Sequence, residues 1–554
     1  MSFEIKDRDL LARIGSLQTK SGSIETPVLL PVINPAIQPI QPKVIQTEFR
    51  CPALITNAYI IRKHFNEQAT NQGIHDFLDY TGSIMTDSGA YQALVYGDVE
   101  VTSKEIVRYQ EAIDTDIATI LDLPTGWKAS KERATYTVKE TLRRARELAE
   151  IKTREDILWV GPVQGGHHLE LVARSAKSMG ELPFQIHALG SPTPVMEQYL
   201  FDTLVDMILT AKMALPLQRP LHLFGAGHPL MFALAVALGC DLFDSAAYAI
   251  YAREDRYLTE YGTSRLGGLE YFPCSCPVCV HNEPQEVMEM EAAKKQEQLA
   301  QHNLFVSLSE LKRIKQAITE GRLWEHLELR AHGHPALLKG VKNLHKYAEY
   351  LEKQSPVTKK RGLSFFGSLD LTRPEVIRHR KRLLARYSPP QKARSLVLLP
   401  QTQMKPFHKS RECQRALKRL IREIGDNIER VHLCTYAAPF GVVPAELDEV
   451  YPLSQHEITT PLDSETLAYV AGQIERYIAV TDYEMIVVLL DQEMWRGKVR
   501  ASCEDACRKK YVPLRVVEAK SPWDEDVLGD LAVAVSNALP STTQSDKAKA
   551  DVKR

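Results

Sequence analysis

The chain has 554 residues, and its 69 Lys and Arg against 70 Asp and Glu leave a formal net charge of -1. A hydrophobic share of 44% and a charged share of 25% exclude a disordered polyelectrolyte and a generally basic coat, so any nucleic-acid-binding surface has to be local. The start, MSFEIKDRDLLARIG, has no apolar stretch behind a basic one, and no run of about 18 apolar residues follows, so neither export nor membrane insertion is indicated and a cytoplasmic protein is expected. Nine cysteines in so long a chain fit reduced thiols rather than a disulfide framework.

From residue 50 to 250, short apolar runs alternate with helical stretches, the pattern of a parallel α/β domain. The runs end in polar residues: ALITNAY, SIMTDSGAYQ, IATILDLPTG, LWVGPVQGG, FQIHALGS, LHLFGAGHP and CDLFDSAAY. Within this region Ala134, Val138, Leu142, Ala145 and Leu148 fall on one helical stripe with Ser130 placed to cap it, which predicts an outer helix over 131–150. Seven or eight strands alternating with helices over about 260 residues favour a (β/α)8 TIM barrel over an open doubly wound sheet.

In such a barrel the polar strand ends share one mouth. Asp87, Asp122 and Asp244 each follow an apolar run and are expected to meet there. Two carboxylates can divide covalent chemistry at a sugar carbon, one attacking while the other moves a proton to and from the leaving group. Gly89, Gly165, Gly166, Gly190, Gly225 and Gly227 stand beside these ends, where a missing side chain lets a flat ligand approach backbone amides.

The stretch FPCSCPVCV then crowds Cys274, Cys276 and Cys279 together, and His302 follows. Three thiols and an imidazole at this spacing predict one structural Zn2+ in a closed tetrahedron, within a zinc-binding subdomain inserted at about 270–305. Helical patterns over 304–352 finish a catalytic unit expected over 1–352. Residues 353–394 set twelve basic residues against Asp370 and Glu375 and are expected to form a basic helical linker that contacts phosphates. A smaller C-terminal α/β module is expected over 395–540, with ARSLVLLP, YEMIVVLL and YVPLRVVE as strands and helices at 411–424, 464–479 and 525–538. Cys503 and Cys507, one helical turn apart, are read as incidental, and the polar stretch 541–554 as a disordered tail.

The carboxylate and cysteine segments carry a resemblance. The first 350 residues or so resemble the catalytic domain of tRNA-guanine transglycosylases, and LFDSAAYAIYAREDRYLTEYGT running into YFPCSCPVCV is similar to the archaeal, archaeosine-type members. The resemblance implies exchange of guanine-15 in the tRNA D-loop for free 7-cyano-7-deazaguanine without breaking the RNA backbone. It implies that Asp244 attacks the ribose anomeric carbon and that Asp87 handles the proton and base recognition. Asp122, Gln164 and Gly190 would hydrogen-bond the flat base, and Cys274, Cys276, Cys279 and His302 would be the zinc ligands. Such chemistry requires the target base to be turned out of the RNA, and Tyr91 and Phe224 are candidates to stack on it.

The resemblance also implies a homodimer and a PUA-type RNA-binding domain, which no segment of this sequence resembles; either a separate subunit supplies that function or the C-terminal module copes alone. In the C-terminal module, MKPFHKS and GVVPAELDEVYPLS resemble the C-terminal region of archaeal transglycosylases and of archaeosine synthases. The synthase pattern has a cysteine shortly before KPY and a histidine after the serine, whereas Gln401, Thr402 and Gln403 precede Lys405 here. The module is therefore read as a degenerate relative that helps to hold tRNA or a partner. Two other functions stay open: a non-catalytic tRNA-binding partner of a transglycosylase, and a nitrogen transferase of the synthase kind.

Overall fold

The computed structural model describes residues 3–90, 101–495 and 497–539. The chain divides into two compact units, one formed by Met1–Tyr347 with Gln354–Pro356 and the other by Ala348–Lys353 with Val357–Arg554.

The first unit opens with an antiparallel sheet of β1 (Phe3–Asp9), β2 (Ala12–Gln18) and β3 (Ser23–Thr26). Eight parallel strands then close into a barrel: β4 (Val28–Ile33), β5 (Ala53–Asn57), β6 (Ser83–Asp87), β7 (Ile117–Thr119), β8 (Leu158–Val163), β9 (Ile186–Leu189), β10 (Leu221–Leu223) and β11 (Leu242–Ser245). Closure is made where β11 pairs with β4, Leu242 opposite Val28 and Asp244 opposite Leu30. The expected TIM barrel is thus the fold. Sequence reading missed β4, whose VLLPVI carries a proline and ends without a carboxylate.

Strand side chains alternate, and the inward set fills the barrel: Val28, Leu30, Ala53, Ile55, Met85, Ile117, Leu158, Val160, Ile186, Ala188 and Leu242 form one buried cluster. Leu17 and Ile24 of the antiparallel sheet join the same cluster. Two residues past Met85 and Leu242 the same alternation brings Asp87 and Asp244 inward at the carboxyl ends of their strands. The helix predicted over 131–150 spans Lys131–Ile151, capped by Ser130 accepting from the Arg133 amide, with Ala134, Val138, Leu142, Ala145 and Leu148 buried.

After β11, the hairpin β12 (Arg256–Thr259) and β13 (Gly262–Arg265) leads through two short helices, Pro277–His281 and Pro284–Glu289, into the long helix Ala292–Glu320. Asn303 on that helix fastens the hairpin, accepting from the Leu258 amide at 2.8 Å and donating to the Arg256 carbonyl at 3.1 Å.

In the second unit, β14 (Leu363–Phe365) pairs with β18 (His456–Ile458). A five-stranded sheet has the order β17 (Gly441–Pro444), β16 (Val431–Ala437), β15 (Ser395–Pro400), β19 (Met485–Asp491), β20 (Leu514–Ala519). Helices Arg411–Ile424 and Glu525–Ser536 pack with one side of it, and Ser464–Val480 and Lys498–Lys510 with the other. The stretch expected as a linker contributes β14 and helix Pro374–Ala385 to this unit, and much of its charge is used internally. Buried Arg373 donates to the Ser364 carbonyl and meets Asp370, Lys359 pairs with Glu375 at 2.8 Å, and Arg378 with Glu352 at 2.9 Å. The expected tail lies outside the described residues. Among the described residues no helix is long and apolar enough to cross a membrane.

Candidate active site and metal centre

Three carboxyls converge at the carboxyl ends of the barrel strands. Asp87 is the last residue of β6, Asp244 the third of four in β11, and Asp122 follows β7 by three residues. Burial first, then the charges of Asp122 and Asp244, push the Asp87 carboxyl up to about 7. Asn57, paired with Asp87 across β5 and β6, donates its side-chain amide to Asp87 Oδ2 at 3.0 Å. Burial likewise raises Asp122 to about 6, against the opposing hydrogen bond from Gln164.

The Gln164 amide is fixed at both ends. Nε2 donates to Asp122 Oδ2 at 2.5 Å, while Oε1 accepts from the Thr125 amide at 2.9 Å and the Ser191 hydroxyl at 3.3 Å. Gly190 borders this side chain so closely that a Cβ there would lie 2.2 Å from Gln164 Nε2. Of the three residues expected to line a base pocket, Gln164 therefore touches both Asp122 and Gly190.

Asp244 Oδ1 takes two donors, the His222 Nε2 at 2.8 Å and the Gly225 amide at 2.9 Å. Oδ2 has no hydrogen-bond partner among the described residues. Phe224 packs against the barrel core, its ring 4.6 Å from the His222 ring. Tyr91 lies outside the described residues. His222 and Asn57 were not singled out from the sequence; the signal for His222 was a polar residue in the middle of an otherwise apolar three-residue strand.

Away from the mouth, Cys274, Cys276, Cys279 and His302 bring their donor atoms within 4.8 Å of one another. Cys276 Sγ lies 3.6 Å from Cys279 Sγ and 3.5 Å from His302 Nδ1, and Cys279 Sγ lies 3.3 Å from that nitrogen. A tetrahedral ion with bonds of about 2.1–2.3 Å sets its ligands roughly 3.4–3.8 Å apart, so the cluster could hold one metal ion. His302 is oriented for it: Nε2 donates to the Leu258 carbonyl at 2.9 Å, which turns Nδ1 to the thiols. The Tyr257 ring stacks on the imidazole at 3.6 Å between centroids.

Residues 7–336 match the family model described as queuine tRNA-ribosyltransferase, and residues 376–534 match one described as a domain of unknown function (DUF5591). The chain is 44% identical over 475 residues to a protein of Methanocaldococcus jannaschii named tRNA-guanine(15) transglycosylase, covering 84% of this chain and 70% of the relative. It is 40% identical over 518 residues to the protein so named in Methanothermobacter thermautotrophicus, covering 92% and 77%. A third relative of that name, from Methanococcus aeolicus, is 41% identical over 466 residues, 82% of this chain and 68% of its own length.

Proposed function

Because the chain belongs to the queuine tRNA-ribosyltransferase family, we infer that it exchanges guanine-15 of tRNA for free 7-cyano-7-deazaguanine, as a pentosyltransferase in archaeosine biosynthesis. The observation that carries the chemistry is the pairing in one mouth of a carboxylate held by one oxygen, Asp244, with a carboxyl raised to about 7, Asp87.

The exchange proceeds by two displacements. Asp244 Oδ2 attacks C1′ of nucleotide 15, the bond from C1′ to the base breaks, and an ester joins the enzyme to the intact RNA. Asp87, protonated near neutral pH, gives its proton to the departing guanine. The incoming base then surrenders its N9 proton to Asp87, N9 attacks C1′, and Asp244 leaves as a carboxylate. Two inversions restore the β configuration. The nucleotide must be turned out of the RNA to reach this point, and the mouth reads its edge through Asp122, Gln164 and the Gly190 backbone, with Tyr91 and Phe224 as stacking partners.

The Cys3His cluster takes one Zn2+ as a structural brace, since four protein donors leave no position for substrate. The alternatives are less well supported: a non-catalytic partner has no need of the three converging carboxyls, and the synthase-like cysteine is replaced at the β15 end by Gln401-Thr402-Gln403. The reaction belongs to the cytoplasm, and a homodimer with a PUA-bearing subunit remains part of the proposal. The test is incorporation of radiolabelled 7-cyano-7-deazaguanine into unmodified archaeal tRNA by the wild type and Asp244→Ala. Incorporation by the wild type alone supports the reading, and unreduced incorporation by the variant overturns the assigned nucleophile.

A further inference from the structure

We propose that His222 is a positioning residue that aims the Asp244 nucleophile, an inference that rests on the reading of Asp244 above. The barrel register places His222 opposite Ala188 of β9 and Leu242 of β10's other neighbour, β11, and both partners are inward core residues. The imidazole therefore lies inside the barrel, directly beneath the mouth, and the residue is fully buried. A polar ring in that layer is costly unless it is used.

Its use is specific. Nε2 meets Asp244 Oδ1 at 2.8 Å, and the buried Nδ1 has no hydrogen-bond partner among the described residues. A carboxylate oxygen can only accept, so Nε2 carries the proton and donates it to the hydrogen bond. The Gly225 amide reaches the same oxygen from a backbone with φ +67°, a conformation that glycine adopts without strain.

Two donors on one oxygen remove the freedom of a carboxylate to rotate and interchange its oxygens. Oδ1 becomes the anchored atom and Oδ2 the attacking one. The same donors act again in the second displacement, when the ester oxygen leaves C1′ and negative charge returns to the carboxylate. His222 thus assists the leaving step without touching RNA or base.

The experiment compares His222→Leu and His222→Gln with the wild type and Asp244→Ala, reading kcat and KM for base exchange alongside thermal melting. Leucine fills the space without a donor, whereas the glutamine amide can restore one at the Nε2 position. Loss of one such donor should lower kcat on the order of 100-fold with little change in KM. His222→Gln should recover at least tenfold of that loss, with both variants melting as folded proteins. Wild-type kcat in His222→Leu overturns the proposal. So does an equal loss in both folded variants, or an effect confined to KM, since each marks a merely structural role. Exchange surviving in Asp244→Ala would instead overturn the reading beneath it, whatever the His222 variants do.

Discussion

Asp87 holds the carboxyl whose ionisation the barrel resists most plainly, because burial and two neighbouring carboxyls raise it to about 7. Its folded value lies above the unfolded one, so folding takes up a proton between about pH 4 and 7, and this group's contribution makes stability fall as pH rises through that window. Asp87→Asn should therefore gain about 2–3 kcal/mol on the wild type between pH 5 and pH 8, read by thermal melting at each, while base exchange is lost. A stability difference that does not change between the two pH values would show that the Asp87 carboxyl is not raised. Gly190 offers a second test at this scale. A methyl group 2.2 Å from Gln164 Nε2 must displace the amide that holds Asp122, so Gly190→Ala should raise KM for the base by about tenfold to a hundredfold while leaving the fold intact. These residues were visible in the sequence because each polar side chain or glycine closes an apolar run. His222 and Asn57 were not, because each acts on a carboxylate of the neighbouring strand and its own strand carries none.

Among the elements, the Cys3His segment joins a hairpin, two short helices and the start of a long one, with Leu258, Leu266, Val278, Val287 and Leu299 buried. Its order depends on the four donors meeting, with Tyr257 stacked on His302 and Asn303 fastened to the hairpin. Chelation, or His302→Ala, should release one equivalent of bound metal and lower the melting temperature, since binding energy at a structural site is folding energy. Metal analysis with calorimetry reads both, and full metal content in His302→Ala would exclude it as a ligand. The meeting of these four donors was legible from spacing alone, as was the helix at Lys131–Ile151 from its buried stripe and Ser130 cap. The strand β4 was not. Pro31 within VLLPVI weakened the strand pattern, yet its register against Ser245 completes the barrel.

For the molecule as a whole, counting charges along the chain located a basic stretch but not its partners. Glu352 and Glu375 take up Arg378 and Lys359, so the segment from 357 onward is built into the second unit, which has its own apolar clusters on both sides of its sheet. Residues 348–554 produced alone should accordingly melt in one cooperative transition, and a non-cooperative profile would contradict an independent unit. The barrel, by contrast, was readable because alternating strands and helices with polar ends have few other ways to bury their apolar faces. The proposed exchange depends on covalent catalysis at Asp244. The most direct measurement is to quench the enzyme with tRNA in the absence of incoming base and map the RNA-modified peptide by mass spectrometry. An adduct on Asp244 that free 7-cyano-7-deazaguanine discharges is expected. An adduct on another residue, or exchange with none at all under any quench, would contradict it.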